Sequence, residues 1–368
     1  MHTILVIGGY GFFGQRIAAA LIASPGIRVL ISGRNLDKAR SACSQLGLPV
    51  ENALAIDATG SDAAQVLRDA GADTVIHTAG PFQAQDYAVA RAAIAAGCNY
   101  VDLADGRAFV AGITALDAEA KARGVTVIGG ASSVPALSSA VVDLYRGEFS
   151  RLDAIRLGIG SGARAPGIAT VQGIFGYCGK PFRCLEDGVW VDAYGWLGLQ
   201  HYRFAAPVGM RLMCSCDIPD LELFPQRYAP VKTVTFQAGF ASAPGHLLVW
   251  LLAGMVKLGI LRSLSPWAGP LNRVSRWIEP FVSARGGMFV ELSGADHAGQ
   301  PLQKRWNLLA GSNHGPYIPC GAAIALAHKF ARAETMPHGA MPCLGLLTVE
   351  EYLAPLRALK LDVTEVPA

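Results

Sequence analysis

The chain has 368 residues, 52% of them apolar and 16% charged, with a formal net charge of +3 at pH 7. A disordered chain is excluded, the length calls for two domains or one with a large insertion, and the charge is too mild for a nucleic-acid binder. Thr3 to Ile7 is a short apolar run rich in β-branched residues, the pattern of a strand buried on both faces. Residues 8–14 then read GGYGFFG. Beyond them Ile17 recurs with Leu21 and Ala18 with Ile22, which predicts a helix with one apolar face.

Gly9, Gly11 and Gly14 match G-x-G-x-x-G between a strand and a helix, the context that gives this pattern meaning. The first glycine makes the turn, the second lets backbone approach a pyrophosphate, and the third lets helix and strand pack closely. The helix start offers unpaired N–H groups and a partial positive charge. Gly8, Gly9, Gly11, Phe12, Phe13 and Gly14 are therefore the expected dinucleotide cradle.

Strand two, Arg28 to Ile31, ends in Ser32-Gly33-Arg34. An NAD site would carry Asp or Glu here for the ribose 2′-hydroxyl. A hydroxyl and an arginine suit a 2′-phosphate instead, Ser32 donating and Arg34 pairing and stacking on adenine. The expected cofactor is NADP(H). Asn35 caps a helix over 36–46. Strand three, 53–56, ends at Asp57, placed to reach the adenine amino group or to cap a turn. A helix from Ser61 to about 71 precedes strand four, which runs through Thr78 into Ala79, Gly80 and Pro81. Backbone there passes beside the cofactor, because ligands bind outside the carboxyl ends of such strands. Helix 83–96, strand 100–103, helix 109–123 and strand 125–128 follow, and Pro135 is expected to open a new helix. Strands alternating with helices predict an α/β fold, a Rossmann-type doubly wound parallel sheet.

Past residue 150 the pattern changes. Strands are expected over 152–160, 189–191, 202–205, 233–238 and 288–292, with 303–309 pairing back across the Ala298-Gly299 turn. Helices are expected over 168–177, 246–261 and 319–332. This reads as a mixed α+β domain. The uncharged run from Leu247 to Val256 is too short to span a bilayer. A buried or dimer-interface helix is favoured there over one lying on a membrane with Lys257, Arg262, Arg273 and Arg276 toward headgroups. The eight cysteines are scattered without a C-x-x-C pair, which predicts reduced thiols, no disulfide framework and no metal site. With no basic leader before the first strand, a cytoplasmic protein is expected.

GGYGFFG, SGRN, HTAGPFQAQDYAVARAAIAAGCNYVDLADG and GGASSVPALSSAVVD resemble the saccharopine dehydrogenase-like (saccharopine reductase type) NADP-binding proteins over about residues 1–145. GADHAGQPLQKRWNLLAG and GPYIPCGAAIALAHKF resemble them more loosely. The group often has T-G-E after Y-V-D-L, where this chain has Ala104-Asp105-Gly106, so Asp105 stands in for that glutamate one methylene shorter. The resemblance implies a dinucleotide-binding domain at 1–145, an α+β substrate and dimerisation domain at 146–318, and a segment at 319–368 returning to the first domain. Hydride transfer to or from a small or amphipathic substrate in the interdomain cleft is expected, the apolar 246–261 segment and the six tryptophans favouring a substrate with hydrophobic surface over a purely polar amino acid. Tyr100, with Asp102, and Asp105 lie at a strand end near the expected nicotinamide. His314 and Tyr317, in Asn313-His314-Gly315-Pro316-Tyr317, sit where the second domain would fold back. Ser132, Ser133, His201 and His246 are lesser candidates for catalysis. The rival readings are a non-catalytic NADP-binding regulator or partner-binding module, and a membrane-surface lipid reductase. A homodimer is expected.

Overall fold

The computed structural model describes residues 1–162 and 167–366. Among these the strands are β1 His2–Ile7, β2 Ile27–Gly33, β3 Ala53–Ala55, β4 Thr74–His77, β5 Asn99–Asp102, β6 Thr126–Gly129, β7 Arg151–Gly160, β8 Pro181–Glu186, β9 Val189–Tyr194, β10 Gln200–Arg203, β11 Met210–Ser215, β12 Thr233–Gly239, β13 Gly286–Ala295, β14 Pro301–Ala310, β15 Gly339–Pro342 and β16 Leu361–Val366. The α-helices are α1 Gly14–Ile22, α2 Leu36–Gln45, α3 Ala63–Asp69, α4 Ala88–Ala96, α5 Arg107–Gly112, α6 Asp117–Arg123, α7 Ser138–Arg146, α8 Ile168–Tyr177, α9 Asp220–Arg227, α10 Ala243–Lys257, α11 Ala268–Ile278, α12 Gly321–Ala331 and α13 Val349–Leu353.

The chain divides into two compact units, residues 1–137 with 317–355, and residues 138–316 with 356–368. The first unit holds a seven-stranded parallel sheet in the order β15-β6-β5-β4-β1-β2-β3. Central strands of such a sheet are covered on both faces, and β1 and β4 are accordingly buried almost throughout, with Thr74 and His77 among the buried polar residues. Leu5 lies level with Leu30 of β2 and Val75 of β4, and all three join a core cluster with Tyr100, Val127 and Ala340. Strand order reverses between β1 and β4. The crevice at such a switch point is where a doubly wound fold binds its ligand, and here its walls are the turns after Ile7 and His77. The Rossmann-type fold expected from sequence is the fold observed.

Two local expectations change and a third holds. Residues 83–87 form a loop, and helix α4 starts only at Ala88. The helix expected over 109–123 is two helices, α5 and α6, joined by a short 3₁₀ turn. Pro135 opens a helix as expected: Val134 before it is extended, and the π-helical turn Ser133–Leu137 runs without a break into α7 at Ser138.

The second unit is built on a nine-stranded mixed sheet, with β10-β11-β12-β7-β13-β14-β16 in order and the β8–β9 hairpin attached to β12. β13 and β14 pair over ten positions across the expected turn, where Asp296 Oδ1 accepts the N–H groups of Ala298 and Gln300. Residues 361–366, assigned from sequence to the returning segment, instead form β16 on the edge of this second sheet against β14. The boundary expected at 145/146 falls at 137/138. All eight cysteines are buried free thiols.

Helix α10 buries His246, Val249 and Ala253 on one face. Leu247, Leu248, Trp250, Leu251 and Leu258 stand exposed on the rest. The buried or dimer-interface helix favoured from sequence is thus buried on one face only. A run apolar on every side gives no sequence signal for which side meets the protein.

These contrasts set an expectation for stability. Leu5→Ala, at a fully buried centre-strand position, should cost about 2–5 kcal/mol by urea unfolding. Leu251→Ala, at 55% exposure, should stay within about 0.5 kcal/mol of the parent.

Candidate functional site

The site is built where β1 gives way to α1. Gly8 takes a left-handed backbone, φ 76°, and its N–H and that of Gly9 both donate to Ser32 O, at 2.9 and 3.1 Å. Gly11 N–H donates to Gly8 O at 2.7 Å, closing the turn. Helix α1 then starts hard against it. A Cβ at Gly14 would stand 2.3 Å from Gly8 O and 2.8 Å from Gly9 Cα, so only glycine permits this approach. Phe13, the N-cap residue, offers no side-chain acceptor to the first turn. That leaves the helix start to an external anion. On this geometry the turn fits a dinucleotide pyrophosphate.

Arg16, two residues into the helix, braces the loop. Its guanidinium donates to Phe12 O, lies 4.1 Å from the Phe12 ring centroid and 4.9 Å from that of Tyr317. Tyr317 is thereby gathered to the glycine-rich loop, alongside the phosphate cradle. Phe12 and Phe13 meet edge-on at 5.1 Å. Nothing in the glycine pattern announces Arg16; its spacing of two from Gly14 is the only signal.

At the end of β2 the expected roles separate. Ser32 is fully buried and its hydroxyl donates to Val6 O at 3.0 Å. It cannot reach a 2′-phosphate, and it serves the turn through its carbonyl instead. This corrects the sequence expectation, which rested on residue type without knowing that the side chain points into the sheet. Arg34 is exposed. Tyr10, which the sequence gave no reason to single out, covers Gly33: a Cβ there would meet its ring at 2.6 Å. Tyr10 Oη also accepts Asn35 N–H at 3.4 Å. Asp57 caps its own turn, Oδ1 accepting the N–H and hydroxyl of Thr59 at 3.2 and 2.9 Å. Those bonds hold its carboxyl below the ordinary range, with a smaller contribution from the Arg34 charge.

Across the switch point, Thr78 Oγ1 donates to Ile7 O at 2.9 Å and lies 3.2 Å from Gly8 O, tying β4 to the glycine turn. The turn Ala79-Gly80-Pro81 is clamped by Gln85, whose Nε2 donates to Ala79 O and Pro81 O at 2.8 and 3.0 Å. These residues rim the crevice.

The catalytic candidates fare differently. Tyr100 is fully buried in the sheet core, its hydroxyl 2.9 Å from His77 Nδ1, and burial pushes its phenol well above the ordinary range. It touches no open space and drops from the candidates. The alternation that would have told its face was obscured because both faces of β5 are buried. Asp102 is equally buried: Oδ1 accepts Ala104 N–H and Gly130 N–H at 2.9 and 2.8 Å, and its backbone carbonyl accepts Ala131 N–H at 2.7 Å. It clips the loop after β5 to the loop after β6. Asp105 follows in that first loop, partly exposed, with Gln83 Nε2 donating to Oδ1 at 3.0 Å. Burial raises its carboxyl above the ordinary range, against the opposing effect of those hydrogen bonds. His314 belongs to the second unit, where Nδ1 accepts Lys360 N–H at 2.9 Å. Ser132 and Ser133 are buried. His246 is buried against Cys214 Sγ at 3.2 Å.

The second unit also has a polar cleft of about 290 Å³ on one face of its sheet, lined among others by Arg156, His201, Tyr202, Thr235, Gln237 and Glu291. Tyr202 stacks on Phe289 at 3.7 Å and donates to Glu291 Oε1 at 2.9 Å.

Residues 4–128 match the family model described as the saccharopine dehydrogenase NADP-binding domain. No curated protein matches the chain in sequence. The whole chain superposes on the whole of apo saccharopine dehydrogenase (L-Glu forming) from Saccharomyces cerevisiae with a TM-score of 0.66 at 12% identity. An amine dehydrogenase from Mycobacterium smegmatis aligns over 95% of both chains with a TM-score of 0.51 at 13% identity. Identities this low speak for the fold.

Asp102 supplies a test of this loop architecture. Burial raises its carboxyl to about 6. The folded state therefore holds a proton that the unfolded state has already lost between about pH 4 and 6, and stability falls as pH rises through that window. His77, which burial lowers to about 4, works in the opposite sense over nearly the same range. The two largely cancel in the parent protein. Asp102→Asn removes one side of that balance. Its stability relative to the parent should improve by roughly 3 kcal/mol between pH 4 and 7, read by urea unfolding at both values.

Proposed function

We propose that this chain, which carries a saccharopine dehydrogenase NADP-binding domain over residues 4–128, is an NADP(H)-dependent oxidoreductase acting on a small or amphipathic substrate. The observation that carries the proposal is the turn from Gly8 to Gly14, with its left-handed glycine, its uncapped helix start and its rim at Thr78–Pro81. The dehydrogenase folds of the two structural neighbours agree with it.

In this reading the backbone of Gly9, Gly11, Phe12, Phe13 and Gly14 holds the pyrophosphate. Gly8 sets the turn, and Arg16 keeps the loop and Tyr317 in place. Arg34 alone reads the 2′-phosphate, since the Ser32 hydroxyl is committed to Val6 O. Tyr10 and Gly33 form the floor beside it. Asp57 orders the loop after β3 through its Asx turn. The bound dinucleotide supplies the hydride. Asp105 is the proton donor: a carboxyl whose proton is retained to higher pH by burial, oriented by Gln83 and carried on a loop that Asp102 fixes.

Fluorescence titration tests the cofactor reading. NADPH should bind at least tenfold tighter than NADH, about 1.4 kcal/mol. Arg34→Ala should erase that preference, and Ser32→Ala should leave it intact. Equal binding of the two nucleotides, or none, overturns it. For the proton donor, turnover of any substrate that consumes NADPH should fall as pH rises through the Asp105 titration. Asp105→Asn should cut kcat by about a hundredfold while NADPH affinity holds. An Asp105→Asn enzyme with parental kcat removes that residue from the chemistry.

A further inference from the structure

Among the described residues, ten large apolar side chains lie exposed between residues 247 and 281: Leu247, Leu248, Trp250, Leu251, Leu258, Ile260, Trp267, Val274, Trp277 and Phe281. Their spacing is helical. Along α10 and its C-cap, Leu247, Leu251 and Leu258 follow one another at i, i+4 and i+11, on the side away from buried His246, Val249 and Ala253, with Trp250 at the border. On α11 and just past it, Val274, Trp277 and Phe281 recur at i, i+3 and i+7, with Trp277 at 80% and Phe281 at 89% exposure. The two helices share an apolar cavity of about 160 Å³, whose wall includes Leu248 and Val249 of α10, Leu271 and Val274 of α11, and Ile174 and Phe175 of α8. Leu248 and Val274 are exposed as well, so the cavity and the outer stripes belong to one surface. Soluble proteins rarely leave so large an apolar face to water.

Charge says what covers it. Between Glu222 and Glu279 the chain contains no Asp or Glu, and Glu279, between Trp277 and Phe281, is the only acid on this face among the described residues. Lys257, Arg262, Arg273 and Arg276 are the charged residues of α10, α11 and their connection, and all four are exposed. A second copy docked isologously would bring this surface, with four exposed cations and the single carboxylate of Glu279, against itself, with too few acids to pair it. An anionic lipid surface meets both needs: headgroup charge for the arginines and an acyl boundary for the leucines and tryptophans. Tryptophan is also the side chain that favours that boundary, amphipathic and large. Among the described residues no helix is long and apolar enough to cross a membrane, so the attachment is peripheral.

We propose that the α10–α11 face docks the protein on anionic phospholipid membranes, with Trp277 and Phe281 entering the acyl boundary and Arg273 and Arg276 lying among the headgroups. The proposal is independent of the cofactor reading, since its surface contains none of the residues assigned to the dinucleotide.

Co-sedimentation of the full chain with vesicles tests it. Binding to phosphatidylcholine vesicles containing phosphatidylserine at low salt should exceed binding to phosphatidylcholine alone by about tenfold or more. High salt should weaken it. Two double variants at exposed positions, Trp277→Ser with Phe281→Ser and Arg273→Glu with Arg276→Glu, should each lower binding about tenfold or more. Their melting temperatures should match the parent, which separates lost docking from lost folding. Protein left in the supernatant with both vesicles overturns the proposal, as does binding that neither variant reduces. A dimer in solution that Trp277→Ser with Phe281→Ser dissociates, without vesicle binding by the parent, assigns the face to a second copy instead.

Discussion

Everything assigned to the first unit depends on one carbonyl. Ser32 O accepts the N–H groups of both Gly8 and Gly9, and the buried Ser32 hydroxyl reaches back to Val6 O. β2 thereby fixes the point at which the chain leaves β1 and the hand of the turn that follows. Gly8 can then take a positive φ, Gly11 closes on Gly8 O, and α1 begins within van der Waals contact of the turn it follows. From the other side Thr78 holds the same peptide groups. The approach is too close for any Cβ at Gly14. Its consequence is a helix start with no side chain of its own to satisfy it, set at the reversal of strand order, where charge of the opposite sign is most stabilised.

How much of this could be read in advance follows from periodicity and punctuation. The glycine pattern, the alternating elements of the first 130 residues and the β13–β14 hairpin were legible because each is specified by local spacing. Side-chain direction in doubly buried strands was not. Ser32 and Tyr100 sit in strands with apolar neighbours on both faces, so no alternation marks which way they point. Both looked available, and both prove to be spent on the sheet. Tyr10 and Arg16 escaped for a different reason. Their roles arise from contacts with Gly33, Phe12 and Tyr317, which spacing along the chain does not encode. The strand β16 escaped because a terminal edge strand such as LDVTEV carries charges and lacks a hairpin partner close in sequence.

The apolar segment of the second unit shows the same limit in another form. Residues 247–256 are apolar at every position, so hydrophobicity alone fits a core helix, an interface and a surface helix equally. Burial of only His246, Val249 and Ala253 shows that the second unit covers one stripe of α10 and leaves the other. α11 carries the complementary information. Its outward stripe interleaves Val274 and Trp277 with Arg273 and Arg276, and a helix packed into a protein core has no use for arginines on its apolar face.

The loss of Ser32 from the cofactor-binding set sharpens the selectivity argument. With that hydroxyl turned into the sheet, the proposed discrimination between the two nicotinamide dinucleotides rests on Arg34 and on the absence of any carboxylate at the end of β2. Asp57, at the end of the neighbouring β3, is the acidic residue nearest in topology, and its carboxylate is already engaged by the N–H and hydroxyl of Thr59. In the proposed reading a 2′-phosphate would meet the exposed guanidinium of Arg34 at that strand end. Tyr10 adds a constraint of shape. By covering Gly33 it fills the space a larger residue would claim there, and it braces the start of α2 through Asn35. The proposed preference for the phosphorylated cofactor would follow as much from what the end of β2 lacks as from the arginine it presents.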